Sequence, residues 1–175
     1  MKYILTAVVA FTLITIGCKN DSTNSDDKGE TNTHSTVNVK DAQEYFSFSS
    51  NSGSTDEASA HDVIFYSVQW RPAPQAPLIN DPRFRAKDGL SIAVLNDTDL
   101  EDVTDVPAIS EFVANFASEF GEWYETTDAH IILPYEKVYI VNTSDGKFPA
   151  FEIKSYYDEV NGDAGVYNIE WKYLN

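Results

Sequence analysis

The chain has 175 residues, and 28 acidic against 12 basic side chains give it a formal charge of −16. A surface of this sign repels phosphate backbones, which excludes nucleic acid as a partner, and it suits solubility at a cell surface. Aromatic residues make up 13% of the chain, a content that favours many strands.

The first 18 residues have the layout of an export signal. A basic residue, Lys2, precedes the uncharged residues 3–17, and the only cysteine, Cys18, follows them. This stretch is too short for a membrane-spanning helix, which needs about 20 apolar residues. The layout resembles a bacterial lipoprotein signal, which implies cleavage after residue 17 and a lipid on Cys18. We therefore expect a protein that is lipid-anchored to an outer membrane, on the cell surface.

Residues 18–42 are predicted to be a disordered linker. From residue 19 to about residue 41 the chain is rich in Asn, Asp, Ser, Thr, Lys and Gly and has scarcely an apolar side chain, so it cannot bury enough surface to fold alone. The acidic patch at residues 25–28 resembles signals that carry some lipoproteins to the outer face of an outer membrane; the alternative is a solvated linker. A single folded domain is predicted over residues 43–175.

Alternating and apolar runs predict strands at residues 45–49, 62–71 and 90–95. Between the last two, the prolines of residues 72–77 exclude helix and central strand and predict an extended loop. We expect this loop to carry the basic residues Arg83, Arg85 and Lys87.

One amphipathic helix is predicted after Pro107, which fits a first helical position, and before Gly121, which supplies a stop. Apolar residues recur between them at helical spacing, namely Ile109, Phe112, Val113, Phe116 and Phe120. This stripe indicates core packing rather than a cofactor site.

The C-terminal third predicts a β-hairpin followed by a further strand. Residues 137–142 and 147–157 flank an Asp-Gly turn at Asp145 and Gly146. In the last strand, four large side chains alternate with polar ones: Tyr167, Ile169, Trp171 and Tyr173. The predicted fold class is mainly β, an antiparallel meander or sandwich with one short amphipathic helix.

Three segments of this region, residues 138–147, 151–157 and 165–173, resemble the C-terminal hairpin of HmuY-like lipoproteins. Weaker matches at residues 45–48 and 61–65 and around Trp123 extend the resemblance over most of the domain. Members of that family are lipid-anchored, mostly β surface or secreted proteins, and the founding type captures haem and passes it to an outer-membrane receptor. The resemblance therefore implies a binding protein for iron acquisition, with haem as its ligand and an outer-membrane receptor as its partner.

Family members that bind haem use paired His or Met ligands on loops ahead of the last hairpin. The resemblance makes His130 the first candidate axial ligand, and the second could be His61, Tyr124 or Tyr135, since iron also accepts tyrosine. The basic residues of the predicted loop are candidates to neutralise the haem propionates: Arg83, Arg85 and Lys87.

A second hypothesis is an adhesion module without haem, whose aromatic β face holds a glycan, a peptide or a partner protein. A saturable Soret band on hemin addition distinguishes the two. We do not expect an enzyme, because no Gly-x-Ser-x-Gly, His-Glu-x-x-His or phosphate-binding glycine loop occurs. The acidic residues 97–101 lack the glycine of a calcium loop, so no metal other than haem iron is predicted.

Overall fold

The computed structural model describes residues 29–175. The predicted signal peptide and Cys18 lie outside these residues. Within residues 29–175, no helix combines the length and the apolar character that crossing a membrane requires.

This part of the chain forms two single-turn 3-10 helices, Leu100–Asp102 and Ile109–Glu111, and twelve strands. In chain order the strands are β1 (Asn32–Ser35), β2 (Glu44–Ser47), β3 (Ser52–Ser54), β4 (Val63–Trp70), β5 (Ile79–Ala86), β6 (Ser91–Asn96), β7 (Val113–Ala114), β8 (Tyr124–Thr126), β9 (Ile132–Pro134), β10 (Lys137–Asn142), β11 (Pro149–Tyr157) and β12 (Ala164–Tyr173).

The strands assemble into two antiparallel sheets and a hairpin. The larger sheet has six strands in the order β1-β12-β11-β10-β6-β7, and the smaller has four in the order β3-β2-β4-β5. Strands β8 and β9 pair with each other. A mostly β chain with antiparallel sheets packed as a sandwich confirms the predicted fold class.

Aromatic rings from both sheets fill the space between them. Phe65 of β4 and Phe84 of β5 contact Phe151 of β11, with ring centroids 6.2 and 5.5 Å apart. Phe48, just after β2, packs against Trp171 of β12 at 5.2 Å. All five side chains are buried, and burying one of them stabilises the fold by about 1.5–3 kcal/mol.

The outward face of the larger sheet is partly covered. Leu100, in the segment 97–112, packs with Val138 of β10 in a second buried cluster. Lys172 of β12 is 9% exposed, and its Nζ donates a hydrogen bond to the backbone oxygen of Glu101 at 3.2 Å. The predicted polar face of the last strand is therefore not fully solvated, because a loop distant in sequence crosses it.

Arg83 and Arg85 lie in strand β5, so the prediction that a loop carries them is wrong. Strand β5 pairs with β4 along its whole length, and the loop that precedes it ends at residue 78. Pro82 is tolerated because β5 is an edge strand. Only Lys87, of the three basic residues, follows the end of the strand.

The amphipathic helix predicted after Pro107 is not formed. A single 3-10 turn is followed by the two-residue strand β7. Within the predicted apolar stripe, Phe116 is 8% exposed, but Ile109 and Phe120 are 65% and 56% exposed. The stripe is therefore not one buried face.

Backbone hydrogen bonds to strand β5 explain this difference. The Ala86 N–H donates to the Phe116 oxygen at 2.8 Å, and the Ser118 N–H donates to the Phe84 oxygen at 2.9 Å. Phe116 and Ser118 are both buried, and they stand two residues apart, as in a strand. The edge of β5 thus provides backbone hydrogen-bond partners for this segment, and the spacing of its apolar residues does not predict them.

The predicted linker ends before residue 42. Residues Asn32–Ser35 form β1, which pairs with β12, and Val39 is buried in the core. Thr36 donates its N–H to the Tyr167 oxygen and accepts the Tyr167 N–H at its Oγ1, both at 2.9 Å. A polar segment can form an edge strand because the neighbouring strand supplies backbone partners whatever its side chains are.

Candidate functional site

Two exposed aromatic rings meet at one end of the smaller sheet. Trp70, the last residue of β4, and Phe120 are 37% and 56% exposed, and their ring centroids lie 5.6 Å apart, edge to face. With Val68 and Arg83 they line a groove of about 280 Å³, which we call the aromatic groove. Two exposed aromatic rings in contact beside a cation make the aromatic groove a candidate interaction site.

Strand pairing places the groove on the outward face of β4 and β5. Val68 and Trp70 stand two residues apart on β4, opposite Asp81 and Ile79 of β5, and residues two apart share a face. Phe65, of the opposite parity, belongs to the core. The alternation that buries one face of β4 therefore leaves Trp70 outside.

A buried carboxylate holds Arg83 in place. Asp81 has no exposed surface, and it accepts hydrogen bonds from the Arg83 Nε at 2.6 Å and the Tyr124 hydroxyl at 2.8 Å. The hydrogen bond to Asp81 raises the pKa of the Arg83 guanidinium, which stays cationic. The guanidinium has further N–H groups, and they are available for a ligand in the aromatic groove.

The hydroxyl of Tyr124 is not accessible to act as an iron ligand. Tyr124 is 4% exposed, and its hydroxyl donates to Asp81. Burial, and then Asp81, raise the pKa of this phenol, so the arrangement favours the protonated form over the phenolate that binds iron. The other candidate tyrosine, Tyr135, is exposed, and the Lys137 Nζ lies 5.4 Å from its ring centroid.

His130 lies in the turn of the β8–β9 hairpin and is exposed. Its φ of 61° lies in the left-handed region, which is uncommon for a residue with a side chain. Thr127 closes the turn, since its backbone oxygen accepts the His130 N–H at 2.8 Å and its Oγ1 accepts the Ile131 N–H at 3.1 Å. The Ile132 N–H donates to the Tyr157 hydroxyl at 2.7 Å, which fastens the hairpin to the end of β11.

His61 lies just before β4, and its ring packs edge-on against Tyr45 at 4.9 Å. Its Nδ1 is 2.8 Å from the backbone oxygen of Ser59, and because a carbonyl can only accept, Nδ1 carries a proton. In the tautomer that carries only this proton, Nε2 is an acceptor, as in many metal-bound histidines. His61 helps to line a second depression of about 210 Å³, the polar cleft, formed by Ser47, Ser49, Ala60, His61, Asp62, Lys87, Thr143, Ser144, Asp145 and Tyr173.

The two candidate histidines lie at opposite ends of β11. The polar cleft includes Ser144 and Asp145 of the turn that precedes this strand, whereas the His130 hairpin is fastened to Tyr157, its last residue. A nine-residue strand spans roughly 27 Å. His61 and His130 therefore cannot bind one haem iron together in this structure.

The three candidate propionate residues do not form one cluster either. Arg83 lines the aromatic groove, and Lys87 lines the polar cleft. Arg85 Nη1 pairs with an oxygen of exposed Asp88 at 2.9 Å. Of the three, only Arg83 lies beside exposed aromatic rings.

The polar cleft carries two carboxylates with shifted pKa values, those of Asp62 and Asp145. Burial raises the pKa of Asp62, and the charge of Asp145 adds to the rise, while the hydrogen bond from the Phe48 N–H opposes it. The Thr143 hydroxyl lowers the pKa of Asp145. Among residues 29–175, no group of three or more His, Cys, Asp or Glu side chains is arranged to hold a metal ion.

Sequence reasoning missed Trp70, Phe120 and Asp81 as site residues. The alternation of β4 could have identified Trp70 as outward-facing. Phe120 was assigned to the apolar stripe of a helix that does not form. No sequence signal distinguished Asp81 from the many other acidic residues, because its burial depends on Arg83 and Tyr124 reaching it from two strands.

No protein-family model and no curated protein matches the chain. Several solved structures do. Apo PinO from Porphyromonas gingivitis matches with a TM-score of 0.56 and 12% identity, over 83% of this chain and 98% of its own. A protein from Bacteroides fragilis described as a lipoprotein matches with a TM-score of 0.58 and 14% identity, over 86% of this chain and 92% of its own. The apo HmuY analog from Tannerella forsythia matches with a TM-score of 0.53 and 12% identity, over 86% of this chain and all of its own.

Proposed function

We propose, from the premise that the chain has the HmuY-like fold, that the protein is a non-catalytic, lipid-anchored binding protein that captures haem. The resemblance of residues 138–173 to HmuY-like lipoproteins supports the ligand, and the leader that ends at Cys18 supports the anchor. Placement on the outer-membrane surface and transfer of haem to a receptor belong to the same proposal.

The observation that carries the proposal is the contact between Trp70 and Phe120 beside Arg83. Haem has a flat apolar macrocycle and two carboxylates. Aromatic rings pack against the first, and a guanidinium pairs with the second. The groove, at about 280 Å³, lies just below the usual range for ligand pockets. It would therefore contact part of the macrocycle and leave the rest accessible for transfer.

His130 is the axial ligand in this proposal because its hairpin lies at the same end of the sandwich. The Trp123 ring contacts Tyr156 near the end of β11, with centroids 6.0 Å apart. The Trp123 Nε1 also donates to the Pro82 oxygen at 3.0 Å, and Pro82 precedes Arg83 in β5. The hairpin that carries His130 and the edge of the aromatic groove are thus joined through Trp123.

Hemin titration of the purified protein tests the proposal. We expect a saturable Soret band that His130→Ala abolishes or shifts. The matched control is His61→Ala, which removes a histidine at the other end of the sandwich and should leave the band unchanged. Broad, non-saturating absorbance, or a band that depends on His61 and not on His130, would contradict the proposal.

Iron-free protoporphyrin separates the groove from the axial ligand. Because the aromatic groove would hold the macrocycle itself, the double variant Trp70→Ala, Phe120→Ala should weaken binding of protoporphyrin and of hemin by at least about tenfold. His130→Ala should affect hemin alone. Equal binding of protoporphyrin by the double variant and the parent protein would remove the aromatic groove from the proposal.

The polar cleft favours a second candidate function, the binding of a glycan. Its lining combines hydroxyl groups with the carboxylates of Asp62 and Asp145 and the amino group of Lys87, the groups that hydrogen-bond to sugars. Saturable chemical-shift changes confined to this cleft on adding oligosaccharides, lost in Asp62→Asn, would support it. Such a result without hemin binding would replace the haem proposal.

A further inference from the structure

A cavity of about 630 Å³ lies at the end of the larger sheet, where β12 ends and β11 begins. Three of its lining residues belong to the second buried cluster, on the outward face of this sheet: Val106, Phe148 and Leu174. The turn before β11 and the last residues of β12 complete the lining. The volume falls within the usual range for ligand pockets. We call this the apolar cavity.

The segment 97–112 covers the outward face of the sheet less well at this end. Leu100 and Val103 are buried, but Val106 and Phe148 are only half-buried. The Phe148 ring contacts Phe112 of the same segment, with centroids 5.9 Å apart. The second cluster therefore ends in open apolar space, and an apolar occupant would remove that surface from water at a gain in free energy.

The charges at the rim of the apolar cavity do not select a charged occupant. The Lys147 Nζ lies 4.0 Å from a carboxylate oxygen of Asp145 and 5.2 Å from the ring centroid of Tyr173. The cation thus lies beside an anion of the same turn, and the two charges offset each other. An uncharged apolar group fits this rim better than an anion does.

The chain enters the domain beside the apolar cavity. Asn32, the first residue of β1, pairs with Trp171 of β12. Tyr173, which lines the cavity, is two residues farther along β12, a distance of about 7 Å. Because β1 and β12 are antiparallel, the residues that precede Asn32 approach the sheet from the end that carries the cavity.

The lipid expected on Cys18 is an apolar group that can reach this position. The chain from Cys18 to Gly29 extends at most roughly 40 Å, several times the distance from Asn32 to Tyr173. Residues 19–28 carry only polar or charged side chains, which do not suit an apolar cavity. A short tether also gives the attached lipid a high effective concentration at the cavity.

We propose that one acyl chain of the lipid on Cys18 occupies the apolar cavity, an inference that rests on the lipid anchor of the proposed function. The rest of the lipid stays in the bilayer, so the occupied cavity turns this end of the sandwich toward the membrane. The His130 hairpin is fastened to the other end of β11. The docked chain therefore directs the haem-binding end of the domain away from the bilayer.

Photo-crosslinking tests the occupant. Cells that express the full chain are grown with a diazirine-bearing fatty acid, which enters the lipid of Cys18, and illuminated membranes are digested for mass spectrometry. We expect cross-links from this lipid to Val106, Phe148 or Leu174. Val160 is the internal control, because it is 95% exposed in the turn at the opposite end of β11 and should not be cross-linked.

The same spectra separate this inference from the anchor itself. A Cys18 that carries lipid but gives cross-links only to phospholipids, or to exposed residues such as Val160, would overturn the docked chain and leave the anchor standing. A Cys18 without lipid would overturn both. The measurement uses no hemin, so its outcome is independent of haem binding.

Filling the cavity gives a second test. Val106→Trp places a large ring in the apolar cavity and should abolish the cross-links to Phe148 and Leu174. Ile109→Trp, the matched control, adds the same ring at a 65% exposed position of the same segment and should leave them unchanged. Unchanged cross-links in a Val106→Trp variant that keeps the parent's melting temperature would overturn the proposal. If that variant does not fold, the cross-link map of the parent protein still decides.

Discussion

The side chain of Glu44 connects the N-terminal segment to the smaller sheet. It is 2% exposed, and it bonds to the His34 Nε2 at 2.5 Å and the Val37 N–H at 2.6 Å. Both partners precede β2, in which Glu44 lies, and His34 lies in β1 of the larger sheet. One carboxylate thus joins the edge strand β1 of the larger sheet to the inner strand β2 of the smaller one.

Replacing Glu44 with alanine should lower the free energy of unfolding by about 2–3 kcal/mol. The substitution leaves the Val37 N–H without its acceptor and removes the partner of a largely buried His34. Glu57→Ala, at an exposed position, should change stability by less than about 0.5 kcal/mol. Urea unfolding of both variants checks the difference, and equal stabilities would show that the buried carboxylate contributes nothing.

Which residues form the candidate site could be predicted only in part. Arg83 and His130 stood out because basic residues and histidines are rare in this chain, and both remain in the proposal. The sequence could not show that Tyr124 is bound to Asp81, nor that His61 lies at the far end of the sandwich. Those facts depend on contacts between residues that are distant in the sequence, 43 positions for Tyr124 and Asp81 and 25 for Ile132 and Tyr157.

Among the elements, the segment after Pro107 shows how a repeat can mislead. Spacings of three and four residues fit a helix, but the segment follows the edge of β5 and buries Phe116 without burying Ile109. Strand β10 was predicted with its observed bounds, because a two-residue repeat beside an Asp-Gly turn specifies both the strand and its partner. The segment after Pro107 has no such local partner.

The two members of that apolar stripe should differ sharply on substitution. Phe116 packs against Phe84 at 5.7 Å and Tyr139 at 6.2 Å, so Phe116→Ala should cost about 3 kcal/mol of unfolding free energy. Ile109→Ala should cost less than about 0.5 kcal/mol, because its side chain is exposed. Similar losses of unfolding free energy for the two variants in denaturant unfolding would contradict this prediction, because they would indicate that both side chains lie on one buried face.

At the scale of the whole molecule, buried phenols link stability to alkaline pH. Burial is the first cause that raises the pKa of five tyrosines, the half-buried Tyr66 and four buried ones, Tyr124, Tyr139, Tyr156 and Tyr167. In the unfolded chain such groups ionise near pH 10. Their stabilising contribution is therefore complete below about pH 10 and is lost as the pH rises above it, because only the unfolded chain releases the protons.

We expect the free energy of unfolding to fall above about pH 10 by up to about 1.4 kcal/mol per buried phenol for each pH unit. Tyrosinate absorbance should show the four buried phenols ionising together with unfolding, after the exposed tyrosines. Urea unfolding on either side of pH 10 measures the slope. Ionisation of all the tyrosines near pH 10 in a protein that stays folded would contradict the prediction.

The sandwich as a whole was more predictable than its groove. Alternating strands and abundant rings imply two sheets with an aromatic core whatever the details of pairing. The aromatic groove combines β4, β5 and the segment that ends at Phe120, and its assembly depends on β5 being paired and on that segment lying along it. Neither feature has a local signature.

The strand at Asn32 also limits how far the domain can stand from a bilayer. If Cys18 carries the lipid, only 13 residues separate it from β1, which gives a contour length of at most roughly 45 Å. A linker that extended to residue 42 would have a contour length of roughly 80 Å. The contour length of the shorter linker is comparable with the diameter of the domain itself. The protein would therefore work close against the membrane, where a neighbouring receptor is within reach and a distant one is not.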